Sequence, residues 1–206
     1  MKNSIIVLSC LTAGILVGHL LPENIVSLCT ELPHWLLYLL ILQVGLNLGA
    51  NTDLSNVVHS LRPSDLLIPL FTIAGTLLFT AMASVLFDSW SARDCMAVGS
   101  GFAYYSLSSV LIVQLKEASI GIDMASQLGA IALLANMIRE MLAIMGVPLY
   151  SRLGKLAPVS VAGITSMDIC LPAISRYVGK DMIPVAIIHG LILELSVPLL
   201  VTSLCS

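Results

Sequence analysis

GITSMDICLP, residues 163–172, places two hydroxyls, a carboxylate and a proline inside a segment otherwise apolar enough to enter a bilayer. Hydrocarbon offers the backbone no water to bond with, so irregular chain at membrane depth is tolerated only where it faces protein or a wet cavity. Gly163, Thr165 and Ser166 loosen a helix here and can satisfy freed backbone groups. Asp168 adds a negative charge, and Pro172 removes an amide donor four residues later. The stretch therefore reads as a helix broken near the bilayer midplane, a device that membrane transporters use to build a substrate site.

The surrounding chain has the composition such a break requires. Of its 206 residues, 58% are hydrophobic and only 10% charged, and the mean hydropathy is +1.00. No soluble surface can be covered with that balance, so the chain belongs to the membrane class. At roughly 20 residues per crossing, about seven spans fit. Apolar runs fall at 4–21, 35–50, 65–87, 94–115, 124–149, 158–178 and 182–204, separated by turn and cap residues such as NTDLSN (51–56), FDSWSARD (87–94) and RLGKLAP (152–158). The second run is short for a full crossing. The N-terminal MKNSIIVLSCLTAGILVGHLL has the look of a secretory signal, but the later runs all need a membrane, and it reads as a first transmembrane helix.

The fold expectation is all-α: a polytopic transmembrane helix bundle in which the fourth and sixth spans are discontinuous. One transporter domain covers 1–206, with three spans in 1–90 and the chemically distinctive half in 91–206. If all seven runs cross, Lys2, Arg62, Lys116, Arg176 and Lys180 share one side, and Arg93, Arg152 and Lys155 the other. The positive-inside rule then favours a cytoplasmic N-terminus, and a single re-entrant segment changes that count. The net charge of −3 is spread over short loops, and no basic patch points to nucleic acid. The five cysteines form no metal-binding pattern and sit mostly in apolar runs, where Cys acts as a small hydrophobe. Ser, His and Asp are present without a nucleophile motif, so no enzyme is expected.

Ionisable groups at the centre of a span cost about 2.5–3.5 kcal/mol each and call for a partner, a watery cavity or a function. In the fifth run Asn136, Arg139 and Glu140 lie at i, i+3 and i+4, on one helical face. Arg139 and Glu140, adjacent in sequence, diverge by roughly 100° and neutralise each other poorly. Arg139 either pairs with Asp168 or Glu140 to hold the bundle together, or serves a substrate. Asp168, Glu194 and His189 come from the last two runs, His189 reading as a hydrogen-bonded interior histidine. The fourth run is interrupted by GSGFAYYSLSS (99–109), whose Tyr104 and Tyr105 are too deep for an interfacial belt. Carboxylates beside broken helices suit a cation, and half-helix N-termini suit an anionic group such as a carboxylate.

GFAYYSLSS (101–109), IREMLAIMGVP (138–148), GITSMDICLP (163–172) and VAIIHGLILELSVP (185–198), in this order and spacing, resemble the bacterial lysine exporter family of the LysO type. The similarity runs over essentially the whole chain and is densest from about residue 97. It implies a secondary transporter of the bacterial inner (cell) membrane that exports L-lysine and toxic lysine analogues, coupled to a proton or Na+, with no other cofactor and no metal. The family is distantly similar to bile-acid and arsenite type transporters, whose sites lie where two broken helices cross. Carried over, the acidic position of the family's Arg-Glu motif falls on Glu140, its Thr-Ser-Met-Asp motif on Thr165, Ser166, Met167 and Asp168, and its Tyr-Ser-Leu-Ser stretch on Tyr105, Ser106, Leu107 and Ser108. The expected site is therefore Glu140, Asp168, Arg139, Asn136, Thr165, Ser166, Tyr105, Ser106, Ser108, Glu194 and His189. Three departures stand out: an Asn-Asp pair reads Ala135-Asn136, a Gly-Trp pair reads Ala103-Tyr104, and Glu194 replaces a neutral residue. Family members are roughly half again as long and begin with a further block of spans, so the expected partners are a second copy of the chain or a separately encoded small membrane subunit.

Overall fold

The computed structural model describes residues 63–206 continuously, together with isolated helical positions within 9–17 and at 39 and 42. The runs at 4–21 and 35–50, with Lys2 and Arg62, otherwise lie outside the described residues. Within them the chain is helical throughout, as its composition demands: α1 (Leu67–Ala83), α2 (Ala92–Gly99), α3 (Tyr105–Ile120), α4 (Ile122–Tyr150), α5 (Ala157–Ala162), α6 (Leu171–Tyr177) and α7 (Ile183–Cys205). With their flanking 3-10 turns, α1, α4 and α7 are long and apolar enough to cross a membrane. Most large side chains of α1, among them Phe71, Leu78 and Phe79, are exposed, as lipid-facing residues are. Pro69 and Pro184 sit in first turns, where a missing amide costs no helical bond.

Both expected discontinuities are present, at 100–104 and at 163–170, and the course of the chain through them is the new finding. Lys116 Nζ in the C-terminal half of α3 lies 2.8 Å from Asp94 Oδ1 near the start of α2. Were 92–120 one crossing rod, those residues would stand about 30 Å apart at 1.5 Å per residue. The segment instead enters, breaks and returns. Lys155, ahead of α5, likewise meets Asp181, beyond α6, at 2.9 Å. The helices α5 and α6 together measure only about 20 Å, short of the ~30 Å hydrocarbon core. The runs at 94–115 and 158–178 are thus two re-entrant helical hairpins, and their charges regroup: Lys116 joins Arg93 on one side, while Arg152 and Lys155 join Arg176 and Lys180 on the other.

The first hairpin (91–120) opens where α4 begins and the second (156–180) where α4 ends, so they enter from opposite faces. Ser91 starts the first with a capping box: its hydroxyl accepts from the Asp94 amide (3.2 Å) while the Asp94 carboxylate accepts from the Ser91 amide (3.0 Å). Each hairpin has its own apolar cluster against α4 and α7. Phe102, Leu107, Ile112, Leu128, Leu193 and Val197 form one, and Val159, Ala162, Ile174, Ala186 and Ala143 form the other. Their tips touch, the Ile164 amide donating to the Phe102 carbonyl at 3.1 Å. Phe102 (φ 44°) and Ala103 (φ 76°) adopt left-handed conformations to make that turn. Gly163 (φ 64°) has room for no side chain, since a Cβ there would lie 2.5 Å from the Phe102 oxygen.

Candidate functional site

Broken backbone leaves amides and carbonyls that need partners, and side chains from α4 and α7 supply several. Asn136, at the middle of α4 and 3% exposed, accepts from the Ala103 amide (2.9 Å) and donates to the Val98 and Ala132 carbonyls (2.9 Å each). It clamps the tip of the first hairpin. An aspartate could not donate to either carbonyl, which is the physical reason for an amide at this position. Gly101 leaves the space, since a Cβ on it would meet Asn136 Nδ2 at 2.5 Å and Ser108 Oγ at 2.7 Å. Ser108 itself is tied back to the Tyr104 carbonyl. Replacing Asn136 with Ala strands buried groups at about 2 kcal/mol. The expected readout is a thermal midpoint lowered by roughly 5 °C in detergent-solubilised protein.

The second tip is held by hydroxyls and a histidine. Thr165 Oγ1 donates to the Ala162 carbonyl at 2.8 Å. Ser166 Oγ donates to the Ala186 carbonyl at 2.8 Å. That uses its only proton, so in its 3.2 Å contact with His189 Nδ1 the ring must donate. Nε2 of the neutral ring then accepts from Thr72 Oγ1 (3.1 Å), which in turn accepts from Ser160 Oγ (2.7 Å). His189 is therefore an interior histidine with both nitrogens engaged, stitching α1, α5 and the second tip to α7. Thr72 and Ser160 join this network without being among the residues the sequence pattern singles out. The available signal was a hydroxyl stripe at Thr72, Thr76 and Thr80, one turn apart on α1.

Arg139 serves backbone rather than a carboxylate. Its Nε donates to the Val161 carbonyl (3.3 Å) and an Nη to the Ser160 carbonyl (3.4 Å), and the guanidinium sits 5.5 Å from the centre of the Phe102 ring. A cation at the carbonyl end of α5 is favourably placed for the helix dipole. Neither Glu140 nor Asp168 is an ion-pair partner of Arg139; the ion pairs among the described residues are Lys116–Asp94 and Lys155–Asp181.

Beside the touching tips lies a cavity of about 230 Å³, lined by Tyr104, Tyr105 and Ser106 of the first tip, Thr165 and Asp168 of the second, Glu140 of α4 and Glu194 of α7. Three carboxylates from three elements face it, and among the described residues no Lys, Arg or His lines it. Glu140 (1% exposed) and Glu194 (5%) are buried, with no hydrogen bond or ion pair among the described residues. Asp168 accepts from the Ile169 amide and stands with Ile169 at the exposed rim. The N-terminus of α3 also abuts the cavity. No side chain caps it, so its first-turn amides present donors and a positive dipole end. The cavity gathers Glu140, Asp168, Glu194, Tyr105, Ser106 and Thr165. Asn136, Arg139, Ser108, Ser166 and His189 lie outside its lining and hold the tips in place. Tyr104, noted in the sequence only for its depth, joins the lining.

Comparison with known proteins adds a family. The profile of the family described as lysine exporter LysO matches residues 8–205. Lysine exporter LysO of Escherichia coli K12 is 31% identical over 173 residues, 84% of this chain and 54% of that protein. A Haemophilus influenzae protein provisionally named a lysine exporter is 28% identical over 166 residues, 81% of this chain and 80% of its own length. The chain thus spans about half the length of the E. coli relative. No solved structure matches it.

Proposed function

Because this chain belongs to the lysine exporter LysO family, we propose that it is a secondary transporter carrying L-lysine and toxic lysine analogues out across the bacterial inner membrane, driven by a proton or Na+ gradient. The observation that carries this reading is a cavity walled by three carboxylates and, among the described residues, by no basic side chain. Such a chamber attracts a cation and repels an anion. The ammonium groups of lysine meet Glu140 and Asp168, and its carboxylate meets the first-turn amides of α3 with the Ser106 hydroxyl. Arg139, Asn136 and His189 act as positioning residues that keep the two tips in register. With four basic residues at the mouth of the second hairpin against two at the first, the positive-inside rule sets the second mouth in the cytoplasm. The test is counterflow in proteoliposomes with labelled amino acids. Exchange of lysine but not of neutral or acidic amino acids is expected, and equal exchange of neutral amino acids contradicts the reading.

A second reading concerns the assembly: the chain works with a separately encoded small membrane subunit, or as a homodimer. Lysine efflux from cells expressing this chain alone, against cells that also express a neighbouring hydrophobic reading frame, separates the two. Efflux that needs both supports the split form, and full efflux from this chain alone contradicts it.

A further inference from the structure

Glu194 gives the cavity one carboxylate more than lysine can use. It projects from the middle of α7, more than nine-tenths buried, and reaches the cavity with no hydrogen-bond donor or cation to meet it among the described residues. Among the described residues, no basic side chain from a packed element lines the cavity beside it. His189, five residues earlier, points about 140° away around α7 and is engaged by Ser166 and Thr72. Arg139 is committed to the carbonyls of α5. Lys116 pairs with Asp94 and Lys155 with Asp181 at the two mouths. Among the described residues, the charged and titratable groups that line the cavity with Glu194 are Glu140, Asp168, Tyr104 and Tyr105.

The charges around a ligand then decide between substrates. Lysine brings two ammonium groups and a carboxylate, and that carboxylate has one favourable place, the uncapped start of α3. Glu194 lines the same small cavity as Tyr104, Tyr105 and Ser106, which form that start. A ligand carboxylate seated there meets a like charge in a poorly screened interior. A chain with an ammonium at each end brings no carboxylate to oppose Glu194, and both of its charged ends find a carboxylate in the cavity. Resting on the reading that this cavity is the transport site, we infer that Glu194 makes the protein a carrier of α,ω-diamines, accepting the decarboxylated counterpart of lysine in preference to lysine itself.

The experiment is counterflow in proteoliposomes of the full chain with labelled 1,5-diaminopentane and labelled lysine, for wild type and Glu194→Gln. The wild type is expected to exchange the diamine at least tenfold more efficiently, and Glu194→Gln to shift the ratio at least tenfold toward lysine. Wild-type exchange of lysine with exclusion of the diamine overturns the inference and leaves lysine export standing. Exchange of the diamine alone upholds the inference and overturns lysine export, and exchange of neither overturns both. A ratio unmoved in a folded Glu194→Gln protein also overturns it. The wild-type ratio decides by itself if that variant does not fold.

Discussion

Glu140→Gln is expected to reduce lysine efflux at least about 100-fold while leaving membrane insertion and thermal stability intact. Glu140 is the most buried of the three cavity carboxylates, 1% exposed, and makes no hydrogen bond or ion pair among the described residues. Among the described residues nothing structural hangs on its charge. A glutamine of the same shape keeps the packing and removes a charge that the interior had to tolerate unpaired. A substrate ammonium that relied on it loses a buried charge contact worth roughly 3 kcal/mol, which is about two decades of affinity. Efflux measured beside a thermal midpoint separates the outcomes. Unchanged efflux removes Glu140 from the mechanism, and a collapsed midpoint makes it a structural residue.

Gly163→Ala is expected to cost more than about 3 kcal/mol, enough to lower the thermal midpoint by roughly 10 °C or to prevent accumulation of the protein. Gly163 has φ 64° and ψ −131°, a region open to little but glycine and costing about 1–3 kcal/mol for other residues. The added methyl would also lie 2.5 Å from the Phe102 oxygen and 3.2 Å from its carbonyl carbon. Both are backbone atoms of the opposing tip, so relief requires the hairpins to part and the Ile164–Phe102 bond to break, at about 1 kcal/mol more. Gly75→Ala on α1, where a Cβ meets nothing within 4 Å, is the matched control and is expected to be neutral or slightly stabilising. Equal midpoints for the two variants contradict the tip contact.

Much of this was legible in the chain. The breaks announce themselves through Gly101 and Ser106 in the fourth run, and through Gly163, Thr165 and Asp168 in the sixth, because such residues violate an otherwise apolar pattern. Glu140 and Asp168 were legible as neighbours because both fall near the centres of their runs. The course of the chain was not, since hydropathy records how deep a residue sits and not whether the chain turns back. Asp94 and Lys116 each look like an ordinary loop charge, and only their 2.8 Å contact reveals a return. The grouping of Asn136, Arg139 and Glu140 on one face was also too coarse. Asn136 reaches one tip, Arg139 the carbonyls of the other hairpin, and Glu140 the cavity, because small rotations around α4 aim them at different neighbours. Hairpins entering from opposite faces fit the inverted arrangement by which transporters place a site at the midplane and open it alternately to each side.

The most direct test is a pair of distances in lipid bilayers, from spin labels on cysteines placed at 94 with 116, and at 155 with 181, in an otherwise cysteine-free chain. Re-entrant hairpins predict that both pairs stay in the short range set by ion-pair contacts of 2.8 and 2.9 Å plus two label arms. A separation of about 30 Å in either pair, the length of a full crossing, contradicts the paired hairpins and the acidic cavity built between their tips.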